Sequence, residues 1–168
     1  TEAHLLAFSD AESGRSTLLR VLLRGIVERY TSAQARVLLV DYRRTLHDAV
    51  PQDYLAGYAG GAPALAAFLT DLTAEFRRRQ PGPEVRPEQL RDRSWWSGPE
   101  VFVVVDDYDL VATSDNPMLT VLPFIAQARD VGLHVIMTRR TAGAGRAMYD
   151  PLLTAIRESG APGLVGSG

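Results

Sequence analysis

The sequence predicts an α/β fold, a parallel β-sheet with helices packed on both faces, and three observations carry this. Four short runs are continuously apolar: His4-Leu-Leu-Ala-Phe8, Arg36-Val-Leu-Leu-Val-Asp41, Val101-Phe-Val-Val-Val-Asp106-Asp107 and Leu133-His-Val-Ile-Met-Thr138. They lack the polar alternation of a half-solvated strand and read as strands buried on both faces. Stretches of helical period separate them, which implies crossover connections and parallel pairing. Polar or charged residues close each run at its carboxyl end, where open α/β sheets gather ligand chemistry.

The elements follow in order. His4 to Phe8 is the first strand, and Ser16 to Tyr30 a helix whose Leu18, Leu19, Leu22, Leu23, Ile26 and Val27 recur as a core-facing stripe. Arg20, Arg24, Glu28 and Arg29 fall mainly outside that stripe and form a solvated face. Arg36 to Asp41 is the second strand. A helix from Pro63 to Gln80 buries Leu65, Phe68, Leu69, Leu72 and Phe76. Pro63 suits its first turn, and Arg77-Arg78-Arg79 complement the negative end of its dipole rather than forming a nucleic-acid patch. Residues 81–99 are a Pro- and charge-rich loop carrying Trp95-Trp96. After the Val101 strand come a helix near Pro123 to Val131, the strand Leu133 to Thr138 and a helix from Tyr149 to Glu158. Gly163 to Gly168 reads as the start of a further strand, cut short after 163. Residues 1–168 thus form a single module with no internal repeat.

Composition narrows the function classes. The chain has 168 residues, 46% hydrophobic and 23% charged, which suits one globular domain with a sizeable core. A formal net charge of −2 gives no electrostatic case for nucleic-acid binding. There is no cysteine, so disulfides and thiol catalysis are excluded, and the 3 histidines show no metal-ligand spacing. No apolar run is long enough to cross a bilayer, and no secretory signal is recognisable. All 18 basic residues are arginine.

The segment Ser9-Asp10-Ala11-Glu12-Ser13-Gly14-Arg15-Ser16-Thr17 lies between the first strand and the first helix. That is the layout of a phosphate-binding loop, G-x-x-x-x-G-K-[ST], with Ser9 at the first glycine and Arg15 at the lysine. Backbone N–H groups of such a loop form a nest for anionic oxygens, and the following helix adds its positive end. Gly14 allows close approach of the main chain to phosphate, and the Ser16 hydroxyl is the magnesium ligand of the pattern. A planar arginine is not equivalent to the lysine's compact charge. Taken alone, the segment is also an ordinary Ser/Asp-rich turn capping a helix.

Asp106-Asp107 ends the third apolar strand and supplies the acidic half of the pattern. Asp106 takes the position that holds the magnesium shell, and Asp107 the position that orients and deprotonates the attacking water. That second position is often glutamate, and a base displaced by roughly an ångström loses about a hundredfold in rate. Arg139, with Arg140, closes the next strand at the same edge, placed to sense a γ-phosphate, to pair with Asp107 or simply to face solvent. The two halves together predict a P-loop NTPase.

Five segments carry a resemblance to a known family: Ser9 to Arg20, Val37-Leu-Leu-Val-Asp-Tyr-Arg-Arg44, Gly57-Tyr-Ala-Gly60, Val101 to Asp107, and Ala128 to Ile136. Together they resemble an ATPase module of EccC, the FtsK/SpoIIIE-type motor of type VII (ESX) secretion, and most closely the last of its three tandem modules. The resemblance implies a RecA-like core, ATP and magnesium as ligands, and a cytoplasmic position within a membrane-anchored complex. It also implies neighbouring ATPase modules as partners, a hexamer in the parent protein, and docking of WXG100-type substrates through a C-terminal signal. Carried over, the phosphate loop is Ser9 to Thr17, the magnesium aspartate is Asp106 and the catalytic acid position is Asp107; the residues themselves add Ser16 as a magnesium ligand and Arg139 as a catalytic candidate.

Three functions compete on these residues. A nucleotide-binding, substrate-docking module with slow or absent turnover is favoured by the changes at Ser9 and Arg15. A hydrolysing motor requires Arg15 and Asp107 to work and a neighbour to supply an arginine finger. DNA translocation is disfavoured by the charge balance. Trp95-Trp96 and the face around Leu119, Leu122 and Ile125 are candidate docking surfaces; loop tryptophans also pin loops to cores.

Overall fold

The computed structural model describes residues 4–9, 12–140, 150–161 and 163–166. The chain runs β1 (His4–Ser9), α1 (Glu12–Arg29), β2 (Ala35–Val40), β3 (Leu55–Ala59), α2 (Ala62–Arg79), α3 (Pro87–Asp92), β4 (Glu100–Val105), α4 (Tyr108–Val111), α5 (Ala128–Val131), β5 (Leu133–Arg139), α6 (Pro151–Glu158) and β6 (Gly163–Gly166). Short 3-10 segments occupy Gln52–Tyr54 and Pro117–Phe124. Among the described residues the strands make one six-stranded sheet in the order β3-β2-β4-β5-β1-β6. Every pairing is parallel.

The apolar runs are continuous because the sheet is covered twice. On β2, Val37 and Leu39 face one core while Leu38 and Val40 face the other. On β4 the same split separates Phe102 and Val104 from Val101, Val103 and Val105. Leu19, Leu23 and Ile26 of α1 join the first set; Leu65, Leu69 and Phe76 of α2 and Leu152, Leu153 and Ile156 of α6 join the second. Each such side chain contributes about 1.5–3 kcal/mol by leaving water. His4 is buried in β1, its Nδ1 accepting from the Val135 amide at 3.0 Å, and burial lowers its pKa, so it acts as a neutral structural group.

The structure departs from the sequence expectations in four places. Helix α1 begins at Glu12, not Ser16, leaving only residues 10–11 between it and β1. Ser9 lacks the backbone freedom of the glycine it replaces and completes the strand instead. Strand β3 was not foreseen, because Leu55-Ala-Gly-Tyr-Ala59 has no β-branched residue and only Gly57 and Ala59 are buried. Gly57 is required there: a Cβ would stand 2.6 Å from the Phe68 ring of α2. The helix expected over 123–131 is instead a 3-10 segment, Pro117–Phe124, which contains Pro123, followed by the short α5.

The last departure is the 81–99 loop, which contains α3 and is fastened to the body. The Trp95 indole donates to the Arg79 carbonyl at 2.6 Å and the Trp96 indole to the Asp130 carbonyl at 2.7 Å. Arg79 stacks over Trp96 at 4.0 Å and donates to the carbonyls of Pro99 and Val131. The tryptophans therefore pin the loop, and Arg79, besides lying at the negative end of α2, is a buried fastener. Asp150 caps α6, its carboxylate accepting from the amides of Leu152 and Leu153. Tyr149, expected to start that helix, lies outside the described residues, as do Ser167 and Gly168. No helix among the described residues is long and apolar enough to cross a membrane.

Candidate functional site

The carboxyl ends of the central strands converge on a set of charged groups. Ser9 ends β1, Asp41 follows β2, Asp106-Asp107 follow β4, and Thr138 and Arg139 end β5. The register explains the convergence, since β5 lies between β1 and β4 and β4 lies between β5 and β2. Arg15, Asp41, Asp106, Asp107, Thr138 and Arg139 are all buried. Buried charges persist only when paired and hydrogen-bonded, so their partners define what the site does.

Arg15, at the lysine position of the phosphate loop, is turned inward. Its side chain is 1% exposed, with Nη1 donating to the Ser9 carbonyl at 2.6 Å and Nη2 3.7 Å from Asp107 Oδ2. The residue meant to meet phosphate thus holds the strand end and the carboxylate meant to activate water. Of the rest of the loop, Gly14 and Ser16 lie half-buried on the first turns of α1 and Thr17 is exposed. Glu12 and Ser13 open α1, while Asp10 and Ala11 lie outside the described residues.

Asp107 occupies a left-handed conformation, φ 53° and ψ 72°. Aspartate tolerates that region better than most residues, and such outliers cluster at functional sites. Its amide donates to Thr138 Oγ1 at 2.9 Å, which anchors the turn to β5. Burial pushes its carboxyl pKa up, with Arg15 acting against the rise. Oδ1 is buried and has no hydrogen-bond partner among the described residues. Arg139 does not pair with Asp107; Nη2 donates to Asp109 Oδ1 at 2.7 Å, and the Arg140 amide donates to Oδ2 of the same carboxylate. Burial opposes the charge of Asp109, yet these partners keep its pKa below the usual carboxylate value.

Arg43 is the residue sequence reasoning missed. Its Nε donates to Asp106 Oδ2 at 3.1 Å, and its Nη2 lies 2.9 Å from Oδ2 and 3.1 Å from Oδ1. The same Nη2 donates to Ser16 Oγ at 3.3 Å. One guanidinium therefore bridges the two residues expected to hold magnesium. Burial holds the Asp106 pKa above the usual carboxylate value, with the Arg43 hydrogen bonds and charge and a 3.4 Å bond from Thr138 acting against the rise. A magnesium ion needs oxygen ligands at roughly 2.1 Å in near-octahedral array and keeps several waters. That volume between Ser16 and Asp106 is filled by a cation already, so the donor set as arranged does not fit the metal.

A rigid turn delivers Arg43. Asp41 accepts from the amides of Thr45 and Leu46 at 3.1 and 2.8 Å and from the Tyr58 hydroxyl at 2.8 Å. Burial and the Asp41 carboxylate push the Tyr58 hydroxyl up to about 12, so it stays a donor. Arg20 of α1 ties the turn from outside through the Thr45 carbonyl and Asp48. The signal of Arg43 in the sequence is the Asp41-Tyr-Arg-Arg44 segment, a charged cluster at a strand's carboxyl end.

A parallel sheet with one strand between the loop strand and the acidic strand, and these groups at its carboxyl edge, is a P-loop ATPase domain. No family model matches the chain. It is 48% identical over all of its 168 residues to the ESX secretion system protein EccC of Thermomonospora curvata, of whose length it spans 13%. The structure superimposes with TM-score 0.94 and 46% identity on the cytoplasmic domain of that organism's type VII secretion ATPase EccC, covering 99% of this chain and 20% of that one. It also superimposes, with TM-score 0.93 and 48% identity over 98% of this chain and 30% of the other, on T. curvata EccC (ATPases 2 and 3) in complex with a signal sequence peptide. The chain is thus an ATPase-fold module of the EccC family of ESX secretion proteins.

Proposed function

We propose that this chain is a nucleotide-binding, regulatory ATPase-type module of a type VII secretion motor, the third and last of its parent protein, with slow or absent hydrolysis. The observation that carries this is the contact between Arg15 and Asp107, 3.7 Å apart and both buried. It engages the charge that would meet phosphate and the carboxylate that would activate water at once. What remains for a nucleotide is the positive end of α1, the Gly14 approach and the cationic edge formed with Arg43. The loop residues Ser9 to Thr17 are the ATP-contacting set of this reading, with Arg139 and Asp107 in reserve for a motor whose neighbouring module draws Arg15 away.

The second half of the proposal is substrate docking. The T. curvata relative was solved with a signal sequence peptide, and this chain offers an apolar groove of about 300 Å³ between α1 and strands β4 and β5. Leu22, Ile26, Phe102 and Ile136 line it, with Arg29 and His134 at its edge. A helical peptide lays its apolar face into such a groove. It suits the signal of a WXG100-type substrate better than the pinned tryptophans or the Leu119 side, where Ile125 is buried. The parent would stand at the cytoplasmic side of a membrane-anchored, hexameric complex and meet other ATPase modules there.

Calorimetric and thermal-shift titration with ATP tests the nucleotide half. Saturable binding that raises the melting temperature is expected; no heat and no shift at millimolar ATP would leave a docking scaffold alone. Introducing Arg15→Lys with Asp107→Glu is expected to raise phosphate release above the parent chain's.

A further inference from the structure

The fork of Arg43 on Asp106 and its contact with Ser16 place a positive charge where a P-loop ATPase carries its divalent cation. Three features make the placement built rather than incidental. The guanidinium engages both carboxylate oxygens of a residue with no solvent exposure, through Nε and Nη2 at 2.9 to 3.1 Å. Nη2 reaches Ser16 on the other side at 3.3 Å. The turn that presents Arg43 is fixed by three hydrogen bonds to Asp41 and by Arg20 from α1, so the side chain starts from a pre-ordered backbone. A second cation in the same volume would meet like charge and find Asp106 already neutralised.

We infer that Arg43 stands in for the divalent ion, so that the module takes the metal-free nucleoside triphosphate rather than its magnesium complex. This rests on the nucleotide-binding reading of the site. Magnesium then acts on this protein from solution only, by converting the free triphosphate into the complex that the site disfavours. Apparent affinity falls as magnesium rises, the reverse of an ordinary P-loop ATPase. Asp106 becomes a positioning residue that holds the guanidinium, and Asp41 a positioning residue that holds the turn.

The test is equilibrium titration of ATP into the protein in EDTA and in millimolar magnesium, with manganese electron paramagnetic resonance as a separate readout of metal capture. Binding at least as tight in EDTA is expected, with no protein-dependent loss of the free manganese signal beyond that of manganese with ATP. Arg43→Ala, and Arg43→Gln should the alanine variant fold poorly, should reverse the order by about tenfold, the worth of roughly one charge interaction, and capture manganese. Binding that needs magnesium, with manganese held by the unmodified protein, would overturn the inference and leave the nucleotide reading intact, Arg43 then swinging aside. Absence of binding under every condition would overturn both.

Discussion

A carboxylate with no access to solvent, as at Asp106, is stable as an anion only when another group neutralises it, and Arg43 does so from the turn after β2. Removing the guanidinium leaves only the long Thr138 bond against desolvation, so Arg43→Ala moves the Asp106 pKa further up. A folded-state pKa above the unfolded one gives stability that is full at low pH and lost as pH rises through the folded value. The melting temperature of Arg43→Ala should therefore fall further behind the parent's as pH rises from about 4, with a deficit of about 1–3 kcal/mol near neutrality. Adding Asp106→Asn should flatten the difference; parallel pH curves for parent and Arg43→Ala would contradict the coupling. Asp109 works the other way. Its pKa is held down, so its contribution is present above about pH 4 and is lost on acidification. At this scale the sequence was half legible. Asp106 and Asp107 follow β4 at the sheet's carboxyl edge and Ser16 lies on the first turns of α1, but which arginine meets which carboxylate depends on strand order, which spacing does not encode.

The elements that carry the site are held by ordinary packing, and there the sequence was most informative. The i, i+4, i+7 set Leu19, Leu23 and Ile26 of α1 is buried as its period required. Leu23→Ala should cost about 2–5 kcal/mol in denaturant unfolding while leaving the arginine pairs in place. A cost below about 0.5 kcal/mol, the range of surface substitutions, would mean that α1 does not pack as described. Strand β3 escaped notice because it is made of small residues, and its glycine records a close approach rather than a turn. Gly57→Ala should destabilise by about 1–3 kcal/mol through the Phe68 ring, with partial relief from Phe68→Leu. The early start of α1 shows the limit of motif reading: without the first glycine, the strand runs on and the helix starts sooner.

On the scale of the molecule, one edge of the sheet gathers charge while one face exposes an apolar groove. These surfaces separate the two proposed duties, so they should be separable by substitution. Leu22→Arg should abolish retention of a WXG100-type signal peptide while leaving ATP-dependent melting unchanged; loss of both would place docking and nucleotide at one site. The two-sided burial of the sheet was legible from the apolar runs. The groove was not, because a helix stripe that is partly exposed has the same period as one that is fully buried.

The measurement that bears most directly on the central reading is single-turnover phosphate release, followed on the same sample whose melting temperature ATP raises. A thermal shift with release no faster than that of protein-free ATP is the expected result, because Arg15 and Asp107 are engaged with each other. Release at about 1 per second or more, a common enzymatic rate, would contradict it and make this module a working motor subunit.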